Sequence, residues 1–155
     1  MPKTMAPERV REFDELSHYV DFFATHLWNI DPASPSHPAH SLTTIIQKYG
    51  MSRALQGLRQ AVNGTLESTA HLPIASLLEL DSRFGSAGII SISEMRRRYS
   101  ARYRHVVKRG KIRNDTEYYL VNGILADAAI QMTDEQRALL QKLLDAYEDS
   151  TSNSP

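Results

Sequence analysis

The sequence predicts an all-α domain, and three observations carry that expectation. Apolar residues recur at steps of three and four in segment after segment, the spacing that stacks them on one face of a helix. Residues that cap helices, Ser41, Ser52, Ser93, Asn114 and Thr133, stand just before those segments. Proline and glycine fall between them. The 155 residues, 41% hydrophobic and 23% charged, are enough to bury a core without disulfides, and there are no cysteines to form them. The expected architecture is a single compact multi-helix domain over residues 8–148, with six to seven helices. A flexible N-terminus (1–7) and a flexible polar tail (149–155) flank it.

The elements follow in order. Residues 8–28 place Val10, Phe13, Leu16, Val20, Phe23 and Leu27 on one stripe, with Pro7 before and Asp31-Pro32 after. The three prolines between 31 and 41 predict a loop. Ser41 caps a short helix, 42–49, which ends at Gly50; Ser52 caps another, 53–63, which ends or kinks at Asn63-Gly64. Pro73 opens a helix over 74–84, and Gly85-Ser86-Ala87-Gly88 breaks the chain. The β-branched residues Ile89, Ile90 and Ile92 suit a short extended segment near 89–92. Ser93 caps a helix over 94–109, closed by Gly110. Asn114 with Glu117 opens a helix from 115 to about 130. Thr133 with Gln136 is a capping box for the last helix, 134–148. There Leu139, Leu140, Leu143, Leu144 and Tyr147 form a stripe, and Leu143 and Leu144 are expected in the core.

Charge is the informative feature. Eighteen Lys/Arg balance eighteen Asp/Glu, yet residues 95–114 hold nine cations and no acid, whereas residues 115–155 hold two cations and eight acids. On one continuous helix, Met95, Tyr99, Tyr103, Val106 and Val107 share a face. Arg97, Arg98, Arg102, Arg104, Lys108 and Arg109 occupy the other face, and Lys111 and Arg113 extend them into the next turn. Arg96 sits at the apolar edge, where it can snorkel. Like charges one turn apart, such as Arg104 and Lys108, repel by a few tenths of a kcal/mol. A surface with no use for cations mixes its signs. Two readings stay open: the acidic C-terminal segment packs beside this helix and neutralises it, or the helix is an anion-binding surface. Seven of the nine cations are arginine, whose fork grips phosphate with two bonds, and this favours the second.

Residues 42–61 resemble a DNA-binding helix-turn-helix, with Ile46 as the small or apolar contact of the first helix, Gly50 in the turn, and Met51 and Ser52 opening the second. The departure is at Gln56 and Gly57, where that family has an apolar residue; Leu55 and Leu58 carry the register instead. If the resemblance held, Arg53 and Arg59 would approach bases. Gly85-Ser86-Ala87-Gly88 is similar to the GxxG loop of KH domains, without its basic residue. His37-Pro38-Ala39-His40, near Asp31, reads as a pair of solvent-exposed histidines, with metal ligation as the alternative. Glu15 and His18 are a surface pair at i,i+3.

There is no P-loop, no nucleophile elbow and no dinucleotide fingerprint. The chain therefore reads as a non-enzymatic binding module with no cofactor and no metal. The partner expected on its cationic helix, residues 94–113, is nucleic acid; the alternative is an acidic protein, as in an adaptor, immunity or toxin-neutralising module. No membrane partner is expected, since no apolar run approaches bilayer length and acids and arginines follow the N-terminus. The expected location is the cytoplasm.

Overall fold

The computed structural model describes residues 5–127 and 130–152. Among these residues every regular element is a helix, and there are eight: α1 (Pro7–His26), α2 (Pro38–Tyr49), α3 (Met51–Ser68), α4 (Ile74–Ser86), α5 (Ile92–Tyr99), α6 (Ala101–Arg109), α7 (Asp115–Ala126) and α8 (Asp134–Ser152). None is long and apolar enough to cross a membrane. The eighth helix arises because the expected 94–109 helix is two, parted at Ser100. No strand forms at 89–92 among the described residues; Ile89 to Ser91 are irregular and Ile92 starts α5.

Other boundaries move for local reasons. Pro38 begins α2 rather than extending the loop, because proline's missing N–H is harmless in the first turn. Gly64 and Gly85 sit inside α3 and α4 instead of ending them. Asp127, with φ −77° and ψ 106°, stops α7 before the expected end near 130. The last helix runs to Ser152, past the expected end at 148. The Ala128-Ala129 pair, residues 1–4 and the tail's last three positions lie outside the described residues.

The chain divides into two compact units, residues 1–65 and 66–155. In the first, α1 buries Phe13, Leu16, Tyr19, Val20, Phe23 and Ala24, while Val10 stays 40% exposed. α3 contributes buried Ala54, Leu55, Leu58 and Val62. The Tyr19 and Thr65 hydroxyls hydrogen-bond at 2.9 Å, and Arg59 donates to Glu12. α2 packs on α1 but buries no residue completely.

In the second unit α7 is central, packing on α4, α5, α6 and α8. Val121 and Ile124 of α7 join Val106, Ile112, Leu140, Leu143 and Leu144 in the core. Leu139, by contrast, is 42% exposed. At Gly123 α7 comes close to its neighbours: a Cβ there would stand 2.8 Å from Leu77 Cδ2 and 3.9 Å from Arg96 Nη1.

Candidate anion-binding surface

The cationic segment is built on α5 and α6. Ser91, not Ser93, caps α5: its Oγ accepts from the Glu94 N–H at 3.0 Å and donates to Asp127. Ser93 lies in the first turn, buried, and both its N–H and its hydroxyl donate to Asp81. Burial pushes the Asp81 carboxyl above its ordinary range, against the lowering effect of the Ser93 bonds. Ser100 then takes an extended conformation (φ −71°, ψ 117°), and its Oγ caps α6 by accepting from the Tyr103 N–H at 3.1 Å. A serine that bonds the backbone ahead of it stops one helix and starts the next. The single cationic helix expected from the periodicity is therefore corrected to two shorter ones, and a common face cannot be read across the break.

The eight expected cations fall into two groups. Arg97 donates to Glu94 through Nε at 2.8 Å and Nη2 at 2.6 Å, and Arg98 through Nε at 2.8 Å. Burial alone would raise the Glu94 carboxyl; the two arginines outweigh it and hold the group below the ordinary glutamate range. Arg109 forks onto Glu117 at 2.9 and 3.2 Å and donates to the Lys111 carbonyl. Glu117 also accepts from the Arg113 backbone N–H at 2.8 Å. The Arg109 bonds draw the Glu117 carboxyl down despite its burial. Arg96, expected at the apolar edge, is only 4% exposed and donates to the Thr69 carbonyl at 2.7 Å.

Arg102, Arg104, Lys108, Lys111 and Arg113 remain exposed, and none makes an ion pair among the described residues. Several acids of the C-terminal segment are engaged elsewhere. Asp115 accepts from the Tyr147 hydroxyl and Glu148 from that of Tyr118, whose pKa is thereby pushed up to about 12. Gln141 donates to Asp145 at 2.9 Å. Ion pairs among the described residues thus neutralise Arg97, Arg98 and Arg109, and Glu117 also attracts Arg113 without an ion pair.

A groove of about 310 Å³ lies beside these cations, between α6 and α8. Buried Leu140 and half-buried Tyr103, Val107 and Met132 give it an apolar interior; exposed Leu139 stands at its rim. Arg97, Arg104 and Lys108 border it. Arg104 and Lys108 are one turn apart on α6, about 6 Å along the axis. Arg102 lies about 160° around the helix from Arg104, on another flank. The groove was invisible in the sequence because it needs α8 beside α6; the alternation of Tyr103 and Val107 with Arg104 and Lys108 was its only linear trace.

The other sequence resemblances resolve differently. A single residue, Gly50 with φ +87°, joins α2 to α3, where a helix-turn-helix has a turn of three to four residues. Arg59 is tied to Glu12 of α1. The GxxG stretch is the end of α4, with Gly88 in the left-handed conformation (φ +74°) and the Ile89 N–H bonded back to the Phe84 carbonyl. His37, expected at the surface, is fully buried: its Nδ1 accepts from the Ala39 N–H, capping α2. His40 instead bonds the Pro32 carbonyl. Among the described residues no three His, Cys, Asp or Glu side chains converge as metal ligands. Comparison with known proteins finds no matching family model, no matching curated protein and no matching solved structure.

Proposed function

We propose that the unit spanning residues 66–155 is a non-enzymatic binding module and that its partner is nucleic acid. The observation that supports this reading is the set of five exposed cations between residues 102 and 113 that carry no ion pair among the described residues. Unpaired like charges on one short segment repel one another. A polyanion relieves that repulsion and gains from release of its condensed counterions. Three of the five are arginine, suited to bidentate contact with phosphate. A cytoplasmic location goes with this partner.

Fluorescence anisotropy with labelled oligonucleotides at several salt concentrations tests the proposal. With three to five phosphate contacts on duplex DNA, log K against log salt has a slope of roughly −3 to −4.5. Absence of binding to any oligonucleotide at about 50 mM salt, where phosphate contacts are strong, overturns the nucleic-acid reading and turns the search to acidic proteins.

A further inference from the structure

We infer that the groove between α6 and α8 receives an unstacked base of a single-stranded nucleic acid, with adjacent phosphates on Arg104 and Lys108. This rests on the reading above and narrows it to one strand form. The groove joins two chemistries that a nucleotide also joins: an apolar interior with an aromatic ring, Tyr103, and two unpaired cations at its border.

Charge selects among occupants. A small amphiphile with one carboxylate would neutralise one cation, yet exposed positive charge continues along the chain at Lys111 and Arg113, which suits a chain of phosphates. In a duplex the base faces are covered by stacking, so a duplex offers this groove its backbone and base edges but no ring face. A single strand offers backbone and base together, and base–aromatic contact is tolerant of sequence.

The test compares, by anisotropy with the full chain, a single-stranded oligonucleotide, its duplex, and an abasic oligomer of equal length, in DNA and in RNA. The inference expects the base-bearing single strand to bind about tenfold more tightly than the abasic strand. It expects Leu139→Glu, which puts a carboxylate at the groove's exposed rim, to abolish that preference. Ala138→Glu, an equal charge at an adjacent exposed position outside the groove lining, should keep it. Thermal melts confirm that both variants fold, and the abasic comparison needs no variant. If base-bearing, abasic and duplex forms bind alike, and both glutamate variants weaken them equally, the groove inference is overturned while the nucleic-acid reading stands. If none of them binds and an acidic peptide does, both are overturned.

Discussion

His37 shows how one buried side chain fixes a local structure and its own tautomer. Nδ1 accepts from the Ala39 N–H at 3.2 Å, so the ring proton resides on Nε2. That proton faces the Thr25 hydroxyl at 2.9 Å, with Asp21 at 3.5 Å, and Thr25 in turn donates to the Asp21 carbonyl. Replacing His37 with Ala removes the cap and leaves the Thr25 oxygen without its donor; the expected loss is about 1–3 kcal/mol in urea unfolding. Nitrogen NMR should find Nε2 protonated, and an Nδ1–H tautomer would contradict the capping role. Glu117 gives a second prediction. Its folded pKa is lowered, so its contribution to stability is complete above the ordinary glutamate range and is lost as pH falls through and below that range. Glu117→Gln should melt below wild type at pH 7, and the gap should narrow toward about pH 3. A gap that stays constant with pH would mean that the charge of Glu117 does not matter.

At the scale of elements, helix existence was legible and helix continuity was not. The caps at Asn114 and Thr133 and the left-handed stop at Gly110 stand where the sequence put them, because each acts through a neighbour three or four residues away. Ser100 was missed because serine inside a helix is tolerated, and what decides is whether both flanking helices are held in place. They are. α5 is fixed by Ser91 on Asp127, Ser93 on Asp81 and Arg96 on Thr69, whereas α6 is fixed by Val106 in the core. The Glu94 pairing, by contrast, was readable: Arg97 and Arg98 are three and four residues on, and a charge count starting one residue earlier includes it. The Arg109–Glu117 pair was not, since it needs the turn at 110–114 to fold back. Ser100→Ala should therefore lower stability by about 0.5–2 kcal/mol through loss of the α6 cap. The two helices should not fuse, because their anchors remain. A melting temperature equal to or above wild type would show that the cap does not hold the break.

At the scale of the whole molecule, a net charge of zero conceals a division of labour among cations, and paired substitutions expose it. Arg104→Ala and Arg109→Ala each remove one arginine from α6, so they change the overall charge equally. Arg109 has Glu117 as its partner, and its loss leaves a buried carboxylate without its fork; stability should fall. Arg104 has no carboxylate partner among the described residues and a like charge, Lys108, one turn away. Its loss relieves repulsion, so stability should hold or rise slightly. Binding should respond in the reverse order. If Arg104 contacts a phosphate, its removal weakens all sequences alike and flattens the salt slope by about one unit. Arg109, already held by Glu117, should change the slope less. Melts and salt-dependent anisotropy on the two variants together decide the matter. Should Arg104→Ala destabilise as much as Arg109→Ala and leave the salt slope unchanged, the exposed cations would be structural and the anion-binding surface would be lost with them.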